Sequence, residues 1–177
     1  MQQNDKYACR GPTALLRVAA VFSLAALALC SAVSIATADD RAICGAMPPK
    51  SATIAACSRI IDTPRTSTHD HAMALALRAG AYSRDQNVAA ALSDYSAAIG
   101  LNPEFQFAYK GRGTLFFTTG DLAHAIADLD VAVRLDPRDA KALYLRGAAK
   151  RKNGDETGGS ADIAAAQALD PDIANKP

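Results

Sequence analysis

A tripeptide recurs in this chain at a fixed interval. Leu101-Asn102-Pro103, Leu135-Asp136-Pro137 and Leu169-Asp170-Pro171 stand 34 residues apart. Sliding the sequence on itself by the same interval aligns Arg78 with Arg112 and Arg146, Asp94 with Asp128 and Asp162, and Ala98 with Ala132 and Ala166. A unit of this length cannot bury an apolar face alone and has to stack on its neighbours, so the spacing predicts a linear array of repeats.

Within the period there is room for two helices. In the middle unit Asn102 is expected to cap, Pro103 to take the first helical position, and Glu104 to complement the helix dipole. Tyr109, Gly113 and Phe116 then fall on one helical face. Gly120-Asp121 breaks the chain, and Asp121 caps a second helix whose stripe is Leu122, Ile126, Leu129 and Val133. A glycine inside a helix costs about 1 kcal/mol against alanine. Gly113 therefore predicts close approach by the second helix, with Ala125 and Ala132 as small partners.

The pattern resembles the tetratricopeptide repeat. The middle unit matches its signature at Tyr109, Gly113, Phe116, Ala125, Leu129, Ala132 and Pro137, and the first at Leu75, Ala79, Tyr82, Ala91, Tyr95, Ala98 and Pro103. The resemblance spans residues 72–171 and implies an all-α fold: a solenoid of three helical hairpins with a short N-terminal capping helix. Residues 72–105, 106–139 and 140–171 are the expected units, 39–71 the cap and 172–177 a tail. In the third unit Lys150 replaces the aromatic of Tyr82 and Phe116, Ser160 stands where Leu92 and Ile126 stood, and Gln167 where Ile99 and Val133 stood. The last element of a solenoid needs a polar outer face, so this unit is also the end cap, and docking of a second copy there is disfavoured. Gly158-Gly159 is expected to make its last helix ragged at the start.

The amino end has a different character. Lys6, Arg10 and Arg17 precede an apolar run from Val18 to Ile35, followed by Ala36-Thr37-Ala38 and then Asp39-Asp40. This is the layout of a secretory signal over 1–38, cleaved after Ala38. The alternative is an uncleaved membrane anchor, since about 18 apolar residues is marginally long enough to span. Lipidation at Cys30 is disfavoured by the bulky Leu29 before it. Cys9 and Cys30 would leave with the signal, and Cys44 and Cys57 would stay behind as an even pair for an oxidising compartment. Two buried thiols are the other reading of that pair. Ser51 is expected to cap a helix running to Ile61 that carries Cys57, with Cys44 in the loop before it.

With 19 basic and 18 acidic residues the chain shows no electrostatic footprint for nucleic acid. No catalytic constellation, metal set or cofactor motif is present in the sequence. Ser67, His69, Asp70 and His71 read as a capped helix start, His124 as a solvated residue, and Gly111-Arg112-Gly113-Thr114 falls mid-helix without a phosphate-loop context. The repeated Arg78, Arg112, Arg146 and Asp94, Asp128, Asp162 are expected to form a structural ladder. The resemblance implies a concave surface lined by the first helices, and register places there Met73, Ala76, Gly80 and Ser83. From the second unit come Phe107, Lys110, Thr114 and Phe117, and from the third Lys141, Tyr144, Ala148 and Arg151. Three cations with no carboxylate suit a peptide carrying an acidic group or a free C-terminal carboxylate, with Phe107 and Tyr144 burying an apolar anchor. Lys110 and Lys141 match the carboxylate clamp of chaperone-binding members, but Thr114 and Leu145 break it. The expected protein is thus a non-enzymatic binding scaffold of the bacterial cell envelope, periplasmic, with no nucleic-acid partner and membrane contact only through an uncleaved leader. An anchored structural component of an envelope complex is the alternative.

Overall fold

The computed structural model describes residues 37–46, 49–64 and 66–175. Of the leader only Thr37 and Ala38 fall within them, and the anchor alternative and Cys30 lie outside. Among the described residues there are no strands, only α1 (Ala38–Ala46), α2 (Lys50–Asp62), α3 (Thr68–Arg84), α4 (Val88–Leu101), α5 (Gln106–Thr119), α6 (Leu122–Leu135), α7 (Ala140–Lys152), α8 (Glu156–Leu169) and a closing 3-10 turn at Ile173–Asn175. Each odd helix packs on the even one that follows it, each even helix packs on the next odd one, and successive odd helices touch. No helix of the described residues is long and apolar enough to cross a membrane.

Caps fall where short polar side chains precede helices. Ser67, Asn87, Asp121, Asp139 and Asp155 each accept from the backbone N–H three residues on. The Leu-Asx-Pro triplet behaves differently from expectation: it ends a helix and does not begin one. Asn102 terminates α4, its side chain accepts from the Glu104 N–H (3.1 Å), and α5 starts at Gln106 after a turn. Asp136 and Asp170 repeat the arrangement on the Arg138 and Asp172 N–H groups. The side chain bonds its own turn, and that competes with helix initiation. Between the helices of a hairpin the chain passes through the left-handed region at Gln86 (φ 59°), Gly120 (φ 87°) and Gly154 (φ 94°), again 34 residues apart. Only Gln86 carries a side chain there, at a steric cost that glycine avoids.

Small residues set the helix spacing. Ala76, Ala79, Ala91, Ala98, Ala108, Ala125, Ala132 and Ala166 are fully buried. A Cβ at Gly113 would lie 2.9 Å from Leu129 Cγ and 3.3 Å from the Ala125 carbonyl, so the predicted close approach of α6 is present. The third hairpin goes further. Cβ atoms built at Gly147 and Gly159 would each lie 2.6 Å from the other's carbonyl oxygen. Gly159 is a contact residue in an intact α8, and the expected raggedness is absent because Asp155 caps the helix at the Gly158 N–H (2.8 Å).

At the N-terminal end the structure holds a two-helix hairpin and not a single helix. Cys44 lies on α1, not in a loop, and Ser51 lies inside α2, which begins at Lys50. Thr37 and Asp40 bond each other's backbone N–H reciprocally, the arrangement that favours helix starts. Cys44 and Cys57 form a disulfide across α1 and α2 with Cα atoms 5.1 Å apart, beside Ile60 and Ala74. At the opposite end Ser160 and Gln167 are exposed on α8. The tail is not idle: Ile173 is buried against Leu143 and Ala166. It stands 68 residues after Phe105, which packs in the same way on the first repeat core.

Candidate functional site

The site is built on a frame of ion pairs. Arg78 of α3 donates from Nε and Nη2 to the two carboxylate oxygens of Asp94 on α4 (2.7 and 2.9 Å). Arg112 does the same to Asp128 (2.7 and 2.9 Å) and Arg146 to Asp162 (2.7 and 2.5 Å). The aspartates are buried, and the hydrogen bond each arginine donates to its carboxylate raises the arginine's pKa against the opposing cost of burial. The third guanidinium nitrogen reaches backward to the preceding hairpin: Arg78 to Ser58 Oγ (2.9 Å), Arg112 to Ser96 Oγ (2.9 Å) and Arg146 to Asp130 Oδ1 (3.0 Å). These backward acceptors escaped the sequence reading. The one visible signal was that Ser96 and Asp130 are themselves 34 apart and polar. Lys150, read as a polar end-cap residue, adds its Nζ to Asp162 (2.9 Å). Burial pushes the Asp162 carboxyl up, but the bonds from Arg146 and Lys150 outweigh it and hold it below the usual range.

On the odd-helix side the predicted groove residues differ in their contacts and their exposure. Lys110 forms an ion pair with Asp139, which also accepts from Gln106 Nε2 (2.7 Å) and caps α7 through the Ala142 N–H (3.0 Å). Burial raises the Asp139 carboxyl and these donors more than reverse that. The groove therefore contains a carboxylate the sequence reading did not place there, because Asp139 reads as a cap until α5 is set beside it. Thr114 donates its hydroxyl to the Lys110 carbonyl of its own helix (2.7 Å). Phe117 is half-buried with Lys152 Nζ 4.7 Å above its ring, a cation–π contact joining α5 to α7. Tyr144 packs with Leu143 and Ile173, and Arg151 pairs with Glu156 (2.7 Å). Phe107 remains 39% exposed, resting against Phe105 at 5.9 Å between ring centroids, and Lys141 is exposed. His124 is exposed, as expected, and pairs with Asp121 (2.8 Å).

One polar group at this surface was not anticipated. Tyr95, a core residue of α4 that is 5% exposed, projects its hydroxyl into the seam between α3 and α5. There it meets two glycines. A Cβ at Gly80 would lie 3.6 Å from the oxygen, and one at Gly111 only 2.5 Å from the ring edge. Burial pushes the phenol up to about 12, with Arg84 nearby acting in the opposite direction, so it stays protonated at physiological pH. A cleft of about 310 Å³ lies further toward the N-terminal end, lined by Met73, Leu77, Ile60 and Cys44 with Arg41 and Asp70.

No protein-family profile matches the chain, and no curated protein matches it. Solved structures do. The first TPR domain of Spaghetti (RPAP3), bound to the HSP90 peptide SRMEEVD, is 22% identical with a TM-score of 0.57, over 58% of this chain and 82% of that one. The Arabidopsis OM64 TPR domain is 23% identical (TM-score 0.57, over 59% and 87%), and a double mutant of MamA RS-1 is 21% identical (TM-score 0.63, over 75% and 74%). The chain thus has the tetratricopeptide-repeat fold.

Proposed function

We propose that this protein is a non-enzymatic scaffold that holds an extended segment of another protein on the concave face of α3, α5 and α7. The observation that carries the reading is Phe107. A large aromatic is left 39% exposed on the first helix of the most regular repeat, and the same register of the next repeat carries the exposed Lys141. An exposed aromatic and an exposed cation are what an apolar anchor and a carboxylate require. The likeness to a domain solved with an HSP90 peptide supports the mode of binding. Lys110 contributes less than its charge suggests, being tied to Asp139.

The reading places the protein in the bacterial cell envelope, delivered by the 1–38 leader, and the Cys44–Cys57 bond supports an oxidising compartment. Two measurements test it. Amino-terminal sequencing of the exported product should begin at Asp39. Cross-linking and pull-down from the envelope fraction should recover a partner with wild type that Phe107→Ala/Lys141→Glu loses. This pair is preferred over changes at Lys110 or Tyr144, which would disturb the Asp139 cap and the Ile173 cluster. Identical partners with both proteins would refute groove binding.

A further inference from the structure

We infer that the Tyr95 hydroxyl is a ligand-binding group: a carboxylate of the bound segment accepts its hydrogen bond at a port between α3 and α5 framed by Gly80 and Gly111. The inference rests on the groove reading above and names the chemistry of one position within it. Its ground is an accounting of polar groups. A tyrosine whose ring is buried normally turns its hydroxyl toward a hydrogen-bond partner, in the protein or in solvent. Tyr95 is 95% removed from solvent by residue area, yet no group among the described residues bonds its oxygen. The oxygen is not sealed in either, since no buried side-chain polar atom among the described residues lacks a partner. It is therefore reachable through a narrow opening.

Gly111 makes room for the Tyr95 ring, and Gly80 leaves the space 3.6 Å from its oxygen without a side chain. Gly80 on α3 and Gly111 on α5 stand on either side of the oxygen, and any side chain at Gly111 would strike the ring at 2.5 Å. Glycines at such places admit the backbone or a short side chain of a ligand. The charge is complementary as well. Arg84 lies in the last turn of α3, one turn beyond Gly80, is exposed, and makes no ion pair among the described residues. It is close enough to bias the phenol's ionisation. A neutral donor with a guanidinium beside it selects an anionic acceptor over a carbonyl. The carboxylate can come from the end of a chain or from an Asp or Glu side chain.

The test uses the full chain, immobilised, and three degenerate octapeptide pools: one with a free C-terminus, one amidated, and one amidated with a fixed central Asp. Retained peptides are resynthesised and titrated against wild type, Tyr95→Phe, Gly80→Ala and Phe107→Ala/Lys141→Glu. Tyr95→Phe removes only the oxygen. Gly80→Ala places a methyl at ordinary contact distance over it, so Tyr95→Phe should melt close to wild type and Gly80→Ala at or above it, through helix propensity. Each should weaken binding about tenfold, the cost of one charge-assisted hydrogen bond. With 13C-labelled tyrosine, one Cζ resonance, absent from Tyr95→Phe, should move on titration. The free-acid or the Asp pool should be retained over the amide, and which of the two is retained identifies the source of the carboxylate. If Tyr95→Phe and Gly80→Ala bind like wild type while Phe107→Ala/Lys141→Glu does not, the port is wrong and the groove stands. If no pool is retained, or no variant changes affinity, the groove reading falls and the port with it.

Discussion

Arg112 makes three attachments with one side chain: two to Asp128 in its own hairpin and one to Ser96 in the hairpin before. Fork geometry of this kind is available to arginine and not to lysine. Removing one partner leaves a largely buried charge unpaired, so Arg112→Ala or Asp128→Ala should each cost about 3 kcal/mol. The double change Arg112→Met/Asp128→Leu should recover much of that loss, and urea denaturation of the three variants checks it. Losses below about 1 kcal/mol would place the pair with surface bridges. Acid should act through the depressed carboxylates. The Arg59 guanidinium before all else holds Asp40 down to about 2, and Asp139 and Asp162 are lowered as well. A carboxyl with a lower pKa when folded contributes stability fully above its unfolded value near 3.9 and loses it as pH falls through the folded one. Melting temperatures should be insensitive to these groups above about pH 5 and decline between about pH 4 and 2. Asp40→Asn should flatten part of that decline.

Two glycines of the same residue type behave oppositely at the level of the helix. Gly159→Ala drives a methyl into Arg151 and the Gly147 carbonyl and should destabilise the third hairpin by about 1–3 kcal/mol. Gly100→Ala meets nothing within 4 Å on α4 and should stabilise by about 0.5–1 kcal/mol through helix propensity alone. Thermal melts of the two variants should shift in opposite directions. Such contrasts mark where the sequence stopped being readable. Gly113 could be assigned to a close approach because its repeat partners Ala79 and Gly147 are also small and lie on the core stripe. Gly159 shares the register of Ala91 and Ala125, a small-partner position, but beside Gly158 it looked like a helix breaker. Asp139, the Tyr95 oxygen and Ser96 depend on which side-chain tips meet across helices, and a period of 34 carries no information about that. The cap hairpin was half legible. The cysteine pair was visible, but nine residues of α1 without a repeat partner were not. The disulfide closes a loop over a sequence separation of 13, worth about 3 kcal/mol in the chain-entropy estimate. Reduction should lower the melting temperature and raise hydrogen exchange in α1 and α2 well before α5–α8.

The whole molecule is a row of hairpins closed differently at each end. The first end is covered by a hairpin whose charge pair is inverted, with Asp40 on the odd helix and Arg59 on the even one (2.7 Å). The last end is covered by Ile173, a single apolar side chain beyond the final helix. Ile173→Ala should remove about 2 kcal/mol, measured as a lower urea midpoint. An unchanged midpoint would mean that the tail frays without consequence. Between the ends, stability is a sum of units and their junctions, so damage at α8 should leave the Phe107 side of the groove folded.

The backward reach of the arginines has a directional consequence. Ser96 and Asp130 each offer an acceptor to the next arginine, but the corresponding residue on α8 is Ala164, which offers none. A descendant of this chain could lengthen by copying residues 106–139 in place, because that segment both receives and supplies the link. Copying the last hairpin would produce an arginine with nothing behind it to hold. Growth of the array is open in its interior and closed at its end, and one methyl group in place of a carboxylate draws that boundary.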